Sequence, residues 1–220
     1  MDESGEQLLV FYEKYIPEMG TNYSRVRHFW RNKTTQDVRQ KLLEGQFPKL
    51  GIDLIMKPDE EMDTKPLDFM RRIIAEFPLN IILSGEEQSG KTYSAIWTAK
   101  TLLEERKIYN PVFVRASEIR KERTDIGWDF PFNRNADLIV LDDLGTESMV
   151  QELVQSENSD KKGLIFQLID YRTSEMLPMI ITTNLNREEL TARYSVKTVA
   201  RLENNGTIKE FLEEERMANP

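Results

Sequence analysis

The sequence predicts an α/β fold, a parallel sheet with helices on both faces, preceded by a small all-helical amino-terminal region. Three observations lead there. Short, almost wholly apolar segments at 79–83, 111–115, 137–141 and 179–183 alternate with helical patterns, as strands buried on both faces do. A glycine-containing run from Gly85 to Thr92 follows the first segment and opens a helix. The third segment ends in paired acids, Asp142 and Asp143.

Taken in order, residues 1–45 read as short helices forming a partner-binding region. Leu8, Tyr12, Tyr15, Ile16 and Met19 recur at helical spacing, Gly20 ends that helix, and Val38, Leu42 and Leu43 resume the period after Thr34 and Thr35. Over 46–61 the period fades, and two prolines with the acidic run Asp59-Glu60-Glu61 read as a linker. The main domain is expected over 62–213, with 214–220 as a tail. Thr64 is placed to cap a helix with Pro66 in its first turn, and Met70, Ile73, Ile74 and Phe77 make its apolar stripe. A helix over 91–105 follows the first strand. A long helix carrying Leu164, Ile165, Leu168 and Ile169 precedes the last.

Composition narrows the chemistry. The 220 residues include 38 acids, 30 basic side chains, one histidine and no cysteine. Disulfides, thiolate nucleophiles and cysteine-ligated zinc are excluded, and His28 alone cannot build a multi-histidine metal site. Hard cations with oxygen ligands remain. A net charge of −8 argues against a globally basic nucleic-acid coat but leaves room for a local basic face. Leu, Ile, Val and Phe supply 59 residues, enough for a core. An acidic start and the lack of any long apolar stretch predict a soluble, cytoplasmic protein without membrane contact.

Gly85-Glu86-Glu87-Gln88-Ser89-Gly90-Lys91-Thr92 matches GxxxxGK[ST] at every fixed position, in the strand–loop–helix setting that motif requires. The glycines let successive N–H groups and the helix N-terminus face phosphate oxygens. Lys91 is expected to reach the β/γ-phosphates and Thr92 to hold Mg²⁺. Glu86 and Glu87 are unexpected so near a polyanion. About 50 residues on, Asp137-Leu138-Ile139-Val140-Leu141-Asp142-Asp143 has the form of a Walker B strand. Asp142 would help hold Mg²⁺, and Asp143 would polarise the attacking water, a role more often filled by glutamate.

LIVLDDLGTE at 138–147, FQLIDYR at 166–172 and MIITTNL at 179–185, at their spacing from the phosphate loop, resemble the AAA+ ATPases of the DnaC/DnaI helicase-loader family. The IstB transposition helpers are close cousins. The resemblance spans 46–205. It implies an AAA+ P-loop fold, ATP and Mg²⁺ as ligands, and hydrolysis of ATP to ADP and phosphate. It also implies a replicative helicase hexamer as partner, with single-stranded DNA. The nucleotide-binding run becomes Gly85 to Thr92 plus Tyr93. Asn184 becomes the sensor that orients the attacking water, and Arg201 the arginine finger that acts on a neighbouring subunit's nucleotide, with Arg193 as a rival. Glu147 matches the family's GTE. Two departures stand out: the zinc-binding amino-terminal domain of DnaI-type loaders cannot be built here, and the segment between Arg115 and Asp137 is short. No helical lid is expected after Arg201.

Arg25, Arg27, His28, Phe29, Trp30, Arg31 and Lys33 interleave cations with aromatics. They suit either single-strand binding or an amphipathic helix whose aromatics pack inward. The run 120–123 reads as a solvated helix face. The leading expectation is an ATP-dependent helicase loader that self-associates on its helicase. The alternatives are a transposition helper and a nucleotide-binding adaptor that does not hydrolyse.

Overall fold

The computed structural model of the chain describes residues 35–57, 64–76, 80–119, 136–146, 155–204 and 206–211. Five strands form one parallel sheet in the order β2-β3-β4-β1-β5. They are β1 (Asn80–Gly85), β2 (Pro111–Arg115), β3 (Leu138–Leu144), β4 (Met179–Thr183) and β5 (Gly206–Phe211). The helices are α1 (Thr35–Glu44), α2 (Lys49–Ile55), α3 (Lys65–Ile73), α4 (Lys91–Glu104), α5 (Gln155–Ser174), α6 (Arg187–Tyr194) and α7 (Val196–Asn204).

Side chains of a strand alternate between faces, and the buried strands here have an apolar residue for each. Ile81 and Leu83 join a core with Val38 and Leu42 of α1, Ile52 of α2, Met70 of α3 and Ile96 of α4. Ile82 joins the opposite core with Ile165 and Leu168 of α5, Leu190 of α6 and Leu202 of α7. The expected α/β fold with helices on both faces is present. Thr64 caps α3, its hydroxyl accepting from the Leu67 N–H at 3.3 Å, with Pro66 in the first turn.

One buried charge ties the start of the sheet. The Arg172 guanidinium is 0% exposed and donates to the Ala136 and Pro178 carbonyls, both at 2.8 Å, just ahead of β3 and β4. Burial pushes its pKa down to about 9, against the pull of Asp137. Asp137 itself accepts the backbone N–H groups of Tyr109 and Asn110, both at 2.7 Å, ahead of β2. Three strand starts are thereby fixed by side-chain bonds to backbone.

Several elements differ from the sequence expectation. The stretch read as a linker, 46–61, carries α2, with Ile52 and Ile55 buried against the core. Only Ile52 and Ile55 of its four apolar residues are buried, and seven residues are too few to show a helical period, which is why the segment looked irregular. The α1 helix, expected within the partner-binding region, packs on the sheet domain through Val38 and Leu42, and the Gly45 carbonyl accepts the Phe113 N–H of edge strand β2 at 2.8 Å. Strand β3 runs on to Leu144 rather than ending at 141, and β5 was not anticipated. Residues 1–34, with the basic and aromatic patch and His28, lie outside the described residues, as do Phe77, Leu79, 120–123, Glu147 and 214–220. Among the described residues no helix is long and apolar enough to cross a membrane.

Because Ile52 is 0% exposed, Ile52→Ala should cost about 3 kcal/mol in urea unfolding, the range for a buried aliphatic truncation. A linker residue at that position would change the midpoint negligibly.

Candidate nucleotide site

Strand order decides where the site lies. Strands β3, β4 and β1 are neighbours, so their carboxyl ends bring together the loop after β1, the acids of β3 and the turn after β4. A cavity of 570 Å³ opens there, lined by the run Glu87–Tyr93 together with Asp143, Thr146 and Asn184.

The loop owes its shape to two glycines. Gly85 has φ 145° and lies so close to the Phe211 carbonyl that an added Cβ would come within 2.4 Å of its oxygen. Gly90 has φ 94° and packs on Thr64, whose side-chain atoms would stand 2.7–2.9 Å from a Cβ. Gly90 is also the N-cap of α4, and no side chain caps that helix or places an acid in its first turn. Its leading N–H groups thus have no side-chain cap, the arrangement that suits an anion.

Lys91, only 6% exposed, folds into the loop. Its ammonium donates to the Gly85 carbonyl at 2.8 Å, to the Glu86 carbonyl, and to Ser89 Oγ at 3.2 Å. Burial lowers its pKa, while Asp143, Asp142, Glu87 and Glu86 favour the charged form. Glu86, Glu87 and Asp143 are exposed. The one lysine of the cavity wall therefore faces several carboxylates.

Asp142 lies beneath the cavity, 5% exposed. Its Oδ1 accepts from Thr92 Oγ1 and from Thr182 Oγ1, each at 2.7 Å. Burial raises its pKa, and the two hydroxyl bonds offset part of the rise. Asp143 follows at φ 59°, where the β3–β4 register breaks between Leu141 and Leu144. Its N–H donates to Thr182 Oγ1 at 3.0 Å, and its carbonyl accepts from Thr146 Oγ1 at 2.8 Å. This bulge turns consecutive residues in different directions, one acid buried below and the other exposed at the rim. Asn184 stands at the end of β4, in a turn held by Ser84 Oγ donating to the Leu185 carbonyl at 2.6 Å.

The residues expected to contact nucleotide, Glu87 through Tyr93 with Asp143 and Asn184, thus meet at one cavity. Gly85 ends β1 ahead of the cavity wall, Glu86 follows it, and Asp142 bonds to Thr92 of that wall. Arg201 is elsewhere: on α7, ion-paired to Asp170 of α5 at 2.6 Å, with its guanidinium 5.2 Å from the Phe166 ring centre. Arg193 lies beside Tyr194, 6.0 Å from its ring centre. Sequence reasoning missed Thr182 and Thr146. The signal for Thr182 was a hydroxyl in a strand that is otherwise apolar up to that point.

The donor set suits a hard cation. One hydroxyl and one carboxylate oxygen 2.7 Å apart match Mg²⁺, which keeps waters and takes phosphate oxygens for much of its shell. Among the described residues no cluster of three or more His, Cys, Asp or Glu could hold a metal alone.

The sheet order with this phosphate loop and acidic strand end defines an AAA+ fold. Solved structures agree. The chain superposes on the DnaC helicase loader with a TM-score of 0.57 at 22% identity, covering 74% of this chain and 99% of that one. For DnaI the score is 0.50 at 19% identity, covering 71% and 86%. For AMPPCP-bound DnaA from Aquifex aeolicus it is 0.51 at 14% identity, covering 70% of this chain and 49% of DnaA. Identities this low establish the shared fold. No protein-family model and no curated protein matches the sequence.

Two predictions follow from the charges. The raised pKa means the folded chain binds a proton on Asp142 more tightly than the unfolded chain does. Ionised Asp142 is therefore destabilising above its folded pKa, and the effect vanishes below its unfolded one. Asp142→Asn should gain about 1 kcal/mol at pH 7 in urea unfolding, with the gain shrinking toward pH 4. Replacing both Glu86 and Glu87 by glutamine should tighten binding of ATP about threefold at low salt, and less in high salt, by fluorescence titration.

Proposed function

We propose that the chain is an ATP-dependent helicase loader that binds ATP with Mg²⁺ and hydrolyses it to ADP and phosphate. One observation carries the catalytic half: Lys91, Thr92, Asp142, Asp143 and Asn184 converge at the carboxyl ends of β1, β3 and β4. The motif resemblance at 138–147, 166–172 and 179–185, with a fold shared with the DnaC helicase loader and DnaI, supports the loader half.

In this reading the first turn of α4 and Lys91 bind the polyphosphate. The Lys91 ammonium exchanges loop carbonyls for phosphate oxygens as it does so. Thr92 and Asp142 would hold Mg²⁺, which when bound would supply positive charge to the phosphates. Asp143 and Asn184, both on the cavity wall, orient the attacking water. Arg201 serves the nucleotide of a neighbouring copy, and leaves Asp170 to do so. The segment ahead of α1 grips a replicative helicase, the sheet domain with α1 and α2 packed into its core turns over ATP, and nucleotide state biases assembly with single-stranded DNA. The Lys91 bonds inside the loop and the carboxylates around it favour a second reading, an adaptor that binds nucleotide without turnover.

Lys91→Ala should weaken nucleotide binding by at least about 100-fold and abolish turnover, with an unchanged thermal unfolding curve. Unchanged turnover in that variant overturns the mechanism. Capture of a replicative helicase that depends on ATP or ADP tests the loader role, and capture with no turnover under any condition selects the adaptor.

A further inference from the structure

One buried hydroxyl serves both acids of β3. Thr182 is 0% exposed, donates from Oγ1 to Asp142 Oδ1 at 2.7 Å, and accepts the Asp143 N–H at 3.0 Å. A hydroxyl has a single proton, and here it goes to the carboxylate, while a lone pair takes the amide. The strand leading to it, Met179 to Ile181, is wholly buried and apolar. Valine fills the same volume without a polar group to satisfy, so packing alone gives no reason for a hydroxyl at this position.

The orientation it imposes is specific. Thr92 and Thr182 both donate to Oδ1, and among the described residues Oδ2 accepts no hydrogen bond. The carboxylate is thus held at one oxygen and open at the other. The bond to the Asp143 N–H meanwhile ties the bulge at which the chain turns to φ 59°.

We propose that Thr182 is a positioning residue for the Mg²⁺ site, setting the rotation of the Asp142 carboxylate beside Thr92 and fixing the turn that presents Asp143. The proposal rests on the nucleotide-binding reading above. Partners that orient a metal's ligands tune its affinity, with typical losses of about 10–100-fold when they are removed.

The test compares wild type, Thr182→Val and Thr182→Ser by titrating MgCl₂ into each protein mixed with a fluorescent ADP analogue. Wild type is expected to bind the analogue more tightly as Mg²⁺ rises. Thr182→Val should need at least about tenfold more Mg²⁺ for half the effect, with unchanged affinity in EDTA, and Thr182→Ser should restore most of the response. If Thr182→Val does not fold by circular dichroism, Thr182→Ala takes its place. A Val or Ala variant with the wild-type Mg²⁺ curve overturns the positioning role and leaves the nucleotide reading intact. So does a Ser variant as impaired as Val. A wild type that binds the analogue but ignores Mg²⁺ overturns the positioning role and the Mg²⁺ site together and leaves nucleotide binding standing, whereas a wild type that binds no analogue at any Mg²⁺ concentration overturns the nucleotide reading itself.

Discussion

A carboxylate shielded from water must find donors or keep its proton. Asp142 finds two hydroxyls, and they come from different parts of the chain: Thr92 in the first turn of α4 and Thr182 near the end of β4. Asp142 itself belongs to β3, so a single oxygen atom connects the phosphate loop's helix with two strands. The spacing between loop and acid is thereby set by hydrogen bonds as well as by the sheet. Since α4 follows β1 directly, the same oxygen indirectly spans all three strands whose ends form the cavity. The opposite end of the sheet is fixed by a matching device of reversed sign, the Arg172 guanidinium on the carbonyls ahead of β3 and β4.

The electrostatic setting of the loop is a competition rather than a simple attraction. Lys91 already has three oxygen partners within the loop, so a phosphate bound as proposed would displace contacts that exist. Exposed carboxylates at the mouth add a repulsive term that salt and Mg²⁺ weaken. In the proposed function, binding would depend on the cation more than it would in a loop without Glu86 and Glu87.

Much of this was legible in the sequence because its signals are dense. Strands at 111–115 and 179–183 are bounded as expected, since runs of buried β-branched residues between helices have few other readings. The turn between β1 and α4 was legible because glycines at fixed spacing between an apolar strand and a helical pattern have few other readings. Short or half-exposed elements were not. The α2 helix offers two buried positions, and β5 mixes Thr207, Lys209 and Glu210 with its apolar residues, as an edge strand does. Thr182 could not be weighed from sequence because its partners lie 40 and 39 residues away. Nor could the pairing of Arg201 with Asp170, which joins separate helices.

The unanticipated strand has a practical bearing. The Phe211 carbonyl sits against Gly85, the first residue of the phosphate loop, closely enough to forbid any side chain there. Strand β5 is thus a wall of the loop between β1 and α4 as well as the margin of the sheet. A shortened version of this protein that stops after α7 keeps every motif residue yet removes what Gly85 leans on. The smallest fragment able to hold its loop in this shape extends through Phe211, although the last motif that sequence reading assigned lies near Arg201.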